Sequence, residues 1–290
     1  MREATSGRGF LIGLIGSGIG ASRTPAMHER EGDALGVRYL YRRIDLDQLG
    51  LGADALPELL IAAERMGFDG LNVTHPCKQS VLPLLDSVSE HARALGAVNT
   101  VVLRDGRRVG HNTDCPGFVR GFRRTMGDAP RRRVVQLGAG GAGSAVAHAL
   151  LELGTETLVV IDTDAGRAAR LADDLGARFG AGRAHAASDV ATALDGADGL
   201  VNATPVGMAS HPGLPLPESL LGPALWVADI VYFPLETALL AAARARGCRT
   251  LDGSGMAVFQ AVEAFELFTG LRPDPERMLA TFAALGRPGG

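Results

Sequence analysis

Residues 134–162 read VVQLGAGGAGSAVAHALLELGTETLVVID. The apolar run 134–137 enters Gly138, Ala139, Gly140, Gly141, Ala142 and Gly143, and an alanine-rich segment with helical spacing follows. The pattern predicts a strand, a tight turn and a helix start. Glycines at 138, 140 and 143 fill the three places where a dinucleotide-binding fold accepts no side chain: the turn, the approach to the pyrophosphate, and the helix against its strand. A diphosphate would rest there on free N–H groups at the positive end of the helix dipole.

A glycine-rich turn alone is weak evidence, so its context decides. A second apolar run, 157–161, ends in Asp162, roughly 20 residues beyond the last glycine, where an acid is expected at the ribose. A carboxylate there accepts hydrogen bonds from a 2′-hydroxyl and repels a 2′-phosphate, which favours NAD over NADP. The plainer reading of Asp162 is a turn former at a strand end. Arg167 nearby can either bind a 2′-phosphate or stack on adenine, and stacking is the reading preferred here.

At 290 residues the chain has room for two domains. Its 46% hydrophobic and 21% charged residues are those of an ordinary globular protein. A net charge of −3 offers no general attraction to nucleic acid or an anionic membrane, so an acidic substrate must be held by local groups. Cys77, Cys115 and Cys248 are widely separated, which suggests neither a disulfide framework nor a metal site and points to a reducing, cytoplasmic setting. Arg2 and Arg8 ahead of the apolar run 10–15 imitate a short export signal, but glycines at 13, 16, 18 and 20 interrupt it, and a first strand is expected instead. No apolar stretch reaches membrane-helix length.

Outward from the glycine turn, strands are expected at 10–15, 38–44, 70–73, 199–202, 225–231 and 248–251, with a hairpin of 97–103 and 108–112 around Asp105-Gly106. Helices are expected at 25–35, with Thr24 as its N-cap, and at 56–66, 78–85, 114–126, 166–175, 191–194, 236–246 and 255–269. The alternation in the second half implies a parallel sheet with right-handed crossovers. Arg131, Arg132 and Arg133 read as a solvated strand entrance rather than a nucleic-acid patch.

A nicotinamide-linked oxidoreductase needs a group that moves the alcohol proton and polar groups that orient the reacting carbon. Lys78, Asn99 and Asp114 each follow an apolar run, where clefts form in α/β sheets, and Ser22 and Thr24 flank a helix start suited to a carboxylate. Singly, each has a duller explanation as a surface charge, a turn residue or a cap. His75 reads as structural rather than a metal ligand, since nothing keeps zinc spacing with it.

Taken in order, Gly13-Leu14-Ile15-Gly16, Ser22-Arg23-Thr24-Pro25, Asn72-Val73-Thr74-His75-Pro76-Cys77-Lys78, Gly96-Ala97-Val98-Asn99-Thr100, Asn112-Thr113-Asp114, Asn202-Ala203-Thr204-Pro205-Val206-Gly207-Met208 and Gln260 resemble the shikimate dehydrogenase family, and most of all its NAD-linked quinate/shikimate dehydrogenases of actinobacterial type. The resemblance implies an N-terminal three-layer α/β substrate domain (1–114, completed by 255–290) and a Rossmann-type NAD-binding domain (115–254) with a cleft between them. It assigns Lys78 and Asp114 to catalysis, and Ser22, Thr24, Thr74, Lys78, Asn99, Asp114, Tyr232 and Gln260 to the substrate. On the cofactor side it points to the glycine turn, Asp162, Arg167, Thr204, Pro205, Ile230 and Gly253. The implied reaction interconverts quinate or shikimate and its 3-dehydro form with NAD, in a chain that binds neither nucleic acid nor membrane and is compatible with a homodimer. Gly18 and Thr24 replace the proline and serine of the commoner biosynthetic pattern, a change that could admit the quinate ring. The alternatives are an NADP-linked biosynthetic shikimate dehydrogenase, a relative acting on an aminoshikimate, and a non-catalytic metabolite sensor.

Overall fold

The computed structural model describes residues 9–286, which form two compact units: one of residues up to Thr113 and from Val258 onward, the other of residues 114–257. Arg2 and Arg8, the charges that imitate an export signal, lie outside the described residues. The run that follows them is a strand, and no described helix is long and apolar enough to cross a membrane.

The first unit is built on a mixed sheet of β1 (Gly9–Gly16), β2 (Arg38–Asp45), β3 (Gly70–Val73), β4 (Ser87–Val88), β5 (Thr100–Arg104) and β6 (Arg107–His111), in the order β2-β1-β3-β5-β6-β4. Its helices are α1 (Thr24–Leu35), α2 (Leu46–Leu49), α3 (Leu56–Arg65), α4 (Cys77–Ser80) and α5 (Glu90–Leu95). β1 lies between two neighbours and is buried on both faces, which is why it reads as an unbroken apolar run, whereas the edge strand β2 alternates. Phe10, Ile12 and Leu14 point to one face, against Tyr39, Tyr41, Phe265 and Phe268. Ile15 points to the other, against Leu56, Leu60 and Ala63 of α3. Two cores on opposite faces make a three-layer unit. Asp105 and Gly106 both adopt positive φ (53° and 68°), the geometry a two-residue β5–β6 hairpin demands.

The second unit contains α6 (Asp114–Met126), β7 (Arg133–Leu137), α7 (Gly141–Glu152), β8 (Thr157–Ile161), α8 (Ala165–Phe179), β9 (Ala184–Ala186), α9 (Val190–Leu194), β10 (Gly199–Asn202), β11 (Trp226–Asp229), α10 (Ala238–Ala245) and β12 (Arg249–Leu251). Every strand pair is parallel and the order is β12-β11-β10-β7-β8-β9. Strand order reverses between β7 and β10, the arrangement of a doubly wound nucleotide fold with its binding crevice at that point. α11 (Ser254–Thr269) begins in this unit and continues into the first, where α12 (Pro275–Ala284) packs on α1.

Four expectations need correction. Thr24 is not the N-cap of α1; Arg23 is, and Thr24 is the first helical residue. The helix expected at 78–85 is α4 followed by a 3-10 turn at Leu82–Leu84, because Pro83 lacks an N–H and disfavours α geometry in the residue before it. β9 was not anticipated, and α12 was expected only as part of the C-terminal helices 255–290, without bounds of its own. β9 has three residues, two of them alanine, so it carries little strand signal. α12 did carry one: Asp274 precedes Pro275, and its carboxylate accepts from the N–H groups of Glu276 and Arg277.

Gly199 pairs with Trp226 across β10 and β11, and a Cβ at 199 would fall 2.1 Å from the indole. That indole cannot retreat easily: its N–H donates to Pro130 O at 2.7 Å and its ring makes a T-shaped contact with Phe122. Gly199→Ala is therefore expected to destabilise the protein by about 1–3 kcal/mol in denaturant unfolding through overpacking. Unchanged stability would mean that the indole is free to shift.

Candidate active site

In the first unit the polar residues gather at the ends of β1 and β3. These strands are parallel neighbours with Ile15 opposite Val73, and the loops beyond them are tied together: Ser17 N–H donates to His75 O at 2.9 Å and Thr74 N–H to Ile15 O at 2.9 Å. Gly16 allows this approach, since a Cβ there would lie 2.3 Å from the Thr74 methyl. The Ser22 hydroxyl accepts from Thr24 N–H at 3.4 Å, so both hydroxyl residues sit at the N-terminus of α1. Lys78 lies in α4, and its carbonyl accepts from Val98 N–H at 2.8 Å, which holds the stretch leading to Asn99 against that helix.

Asn99 is buried and connected on both sides. Its amide nitrogen donates to Thr113 Oγ1 at 2.9 Å, while its oxygen accepts from Thr113 N–H at 2.8 Å and Thr100 Oγ1 at 3.0 Å. Thr113 Oγ1 in turn reaches Gln260 Oε1 at 3.5 Å, so the structure brings Asn99 and Gln260 together through Thr113. Beneath them, Asn72 donates to Asn99 O at 3.2 Å and Thr100 Oγ1 at 3.0 Å, and accepts from Tyr41 Oη at 2.6 Å. Tyr41, Asn72 and Thr113 were missed as members of this network. The available signal was Asn72 itself, an amide inside a strand otherwise buried and apolar.

In the second unit Asp114 opens α6 and is buried, and Tyr232 follows β11 and is exposed. The glycine turn fits a diphosphate on steric grounds. Gly138 has φ +97°, and a Cβ there would lie 2.6 Å from Ala203 O; one on Gly143 would lie 2.3 Å from Gly138 O. At Gly140, the N-cap of α7, a Cβ would meet nothing within 4 Å, and no side chain caps the helix. The first and third glycines are thus required by the chain's own packing, and the middle one keeps space open before a helix N-terminus. Gln136, also unforeseen, secures the turn by donating to Gly138 O and Gly143 O, each at 2.8 Å.

Asp162 stands at the end of β8, beside the turn. One oxygen accepts from Ala139 N–H at 2.7 Å and the other from Asp164 N–H at 2.9 Å. Burial pushes its carboxyl up, but those two N–H groups and the Arg167 guanidinium together outweigh burial and hold it below the usual carboxylate range. Arg167 Nε lies 3.8 Å from Asp162 and Arg167 Nη2 3.6 Å from Asp164. Thr204 donates to Asn202 Oδ1 through both its N–H (3.1 Å) and its hydroxyl (2.7 Å). Gly253 passes so close to the backbone that a Cβ would lie 2.6 Å from Ile230 O and Val231 O. Ile230 and Gly253 line a small recess with Phe118, Phe122 and Met256. Met256 was not anticipated there.

The chain therefore offers hydroxyl and amide groups with a lysine in one unit, and in the other a glycine turn open before an uncapped helix N-terminus with a fixed carboxylate beside it. Comparisons with known proteins point the same way. Residues 14–101 match the model of the shikimate dehydrogenase substrate binding domain, and residues 253–281 that of the shikimate 5'-dehydrogenase C-terminal domain. A shikimate dehydrogenase (NADP(+)) of Streptomyces avermitilis is 61% identical over 95% of this chain and 96% of its own. A quinate/shikimate dehydrogenase (NAD(+)) of Corynebacterium efficiens is 56% identical over 95% and 98%. Among solved structures, quinate dehydrogenase from Corynebacterium glutamicum in complex with NAD superposes with a TM-score of 0.90 at 51% identity, covering 95% of this chain and 99% of that one.

The open space at Gly140 generates a test. Gly140→Val places a branched side chain where the backbone accepts it (φ −73°) and where its Cβ meets nothing within 4 Å. Thermal stability is expected to hold while dinucleotide affinity, measured by calorimetry, falls about tenfold or more. Undiminished affinity would move the diphosphate elsewhere.

Proposed function

The chain belongs to the shikimate dehydrogenase family, and from that membership we propose that it is an NAD-dependent oxidoreductase interconverting quinate or shikimate and the corresponding 3-dehydro acid. The family relation supports a pyridine-nucleotide oxidoreductase; the single observation that carries the finer reading is Asp162. Its carboxylate is fixed by two backbone N–H groups beside the glycine turn and held below the usual carboxylate range, which supports a reading in which a ribose hydroxyl donates to it and a 2′-phosphate is repelled.

The dinucleotide, when bound, supplies the hydride acceptor or donor. The chain's own residues do the rest. Ser22 and Thr24 donate hydroxyl hydrogen bonds to the substrate carboxylate, helped by the N-terminus of α1. Thr74, Asn99, Tyr232 and Gln260 hold the ring through its hydroxyls, with Asn99 oriented by its bonds to Thr113 and Thr100. In the reductive direction the Lys78 ammonium delivers a proton to the carbonyl oxygen as hydride arrives at carbon. In the oxidative direction the neutral amine takes the hydroxyl proton, and the Asp114 carboxylate orients that hydroxyl and stabilises the ammonium formed. The three free, buried cysteines suit a reducing compartment such as the cytoplasm.

A second reading, an NADP-linked shikimate dehydrogenase, is favoured by the name of the Streptomyces relative and by Arg167, whose guanidinium could meet a phosphate. Steady-state kinetics with quinate and shikimate against both dinucleotides separates the two. The NAD reading expects a higher kcat/KM with NAD, and a reversed ratio would replace it by the second. Lys78→Ala is expected to lower kcat by roughly 10²–10⁴-fold with the fold and NAD affinity retained; near-normal turnover would remove Lys78 from the chemistry. Asp162→Ala is expected to shift the NAD:NADP ratio of kcat/KM toward NADP, and an unmoved ratio would reduce Asp162 to a structural role.

A further inference from the structure

Beyond the residues that would touch the dinucleotide lies a buried pair that does not, and it joins the segments that would. Asn202 is the last residue of β10 and Asp229 the last of β11, directly opposite one another in register. Both are buried, and Asn202 donates to Asp229 Oδ1 at 2.9 Å. Every other side-chain hydrogen bond of the pair goes to a loop. Asn202 also donates to Val206 O at 2.9 Å, and its oxygen accepts from the N–H and hydroxyl of Thr204. Asp229 Oδ1 accepts in addition from Val231 N–H at 3.0 Å, and its Oδ2 from Thr237 Oγ1 at 2.7 Å. Thr237 Oγ1 then accepts from Leu240 N–H at 3.2 Å and so caps α10. Burial pushes the Asp229 carboxyl up, while Thr237, Val231 N–H and Asn202 pull it back by bonding the charged form.

The position of these loops in the sheet gives the pair its meaning. The glycine turn leaves β7 and Asp162 ends β8, on one side of the strand-order reversal. Thr204 and Ile230 follow β10 and β11 on the other side, and Gly253 follows β12. In a doubly wound sheet the two mononucleotide halves of a dinucleotide lie on opposite sides of the reversal. The adenosine half therefore belongs to β7 and β8, and the nicotinamide half to the loops that Asn202 and Asp229 tie together.

We propose that Asn202 and Asp229, with Thr237, form a positioning unit that sets the loops after β10 and β11 at one fixed separation and so aligns the nicotinamide, without touching it, for hydride transfer. The inference rests on the dinucleotide reading above. A merely structural pair would hold the sheet and affect all ligands alike. A positioning unit affects the nicotinamide end alone.

Asp229→Asn, Thr237→Val and Thr237→Ser, each in the full chain, are to be compared with the unaltered protein by calorimetric titration with NAD and with ADP-ribose, which lacks the nicotinamide, and by kcat and KM. For Asp229→Asn and Thr237→Val, ADP-ribose binding is expected to stay unchanged while NAD affinity and kcat/KM fall about tenfold. Thr237→Ser keeps the hydroxyl and is expected to match the unaltered protein. NAD and ADP-ribose weakening in parallel, Thr237→Ser behaving like Thr237→Val, or lowered thermal stability with unchanged kinetics would each overturn the proposal. Should Asp229→Asn fail to fold, the two Thr237 variants decide it. An unaltered protein that binds neither ligand overturns the dinucleotide reading itself, an outcome distinct from the others.

Discussion

The second unit depends on how closely three backbone segments approach one another. The chain leaving β7 turns at Gly138, enters α7 at Gly141 so that Gly143 packs back on Gly138, and passes the backbone of Ala203 after β10. At two of these contacts a single Cβ would lie within 2.6 Å of a carbonyl oxygen. Real side chains do not tolerate such distances, so glycine is a condition of the packing rather than a preference. The turn's carbonyls are not left bare, because both accept from the Gln136 amide in the buried interior. With the carbonyls satisfied inward, the N–H groups at the start of α7 are the part of the turn that faces outward with no side-chain cap. The same compactness that stabilises the strand–helix junction thus leaves a helix N-terminus ready for an anion.

Each unit repeats one device on a different sheet. Asn72 near the end of β3 is buried and reaches across to Asn99 and Thr100. Asn202 at the end of β10 is buried and reaches across to Asp229. A buried amide without partners costs about 1–3 kcal/mol, so these residues are tolerable only because their polar atoms are engaged. Once engaged, they convert strand register into loop position: β3 and β5 fix where Asn99 stands, and β10 and β11 fix where Thr204 and Val231 stand. Side chains on loops acquire the precision of the sheet beneath them.

This division explains what could be read from the chain alone. Buried parallel strands announce themselves as apolar runs with sharp ends, and β3, β8 and β10 appear in the structure at the bounds the pattern assigns. Local geometry overrides the pattern where one residue dominates, as Pro83 does in breaking the expected helix. β9 was illegible because three residues at a sheet edge carry almost no periodicity. The supporting networks were illegible for another reason: their members are joined in space and not in sequence. Tyr41 and Asn72 are 31 residues apart, and nothing local to either reveals the bond. Gln136 had a local signal, an amide in the buried run before the glycine turn, although its purpose appears only with the turn in view.

The choice of dinucleotide, on the proposed reading, turns on an asymmetry between two neighbouring charges. The Arg167 side chain is 48% exposed, and its partners Asp162 and Asp164 lie 3.8 and 3.6 Å away. Ion pairs of that kind contribute about 0–1 kcal/mol, so the guanidinium can swing toward adenine or away at little cost. Asp162 has no such freedom: its side chain is 8% exposed, and each oxygen is held by a backbone N–H. A carboxylate oxygen retains a second lone pair after accepting one bond, so a ribose hydroxyl can still be accommodated. A 2′-phosphate would instead meet a negative charge unable to withdraw, and the mobile arginine would have to leave two carboxylates to neutralise it. The immobile member of the pair, rather than the cation, is then the group that sets the preference.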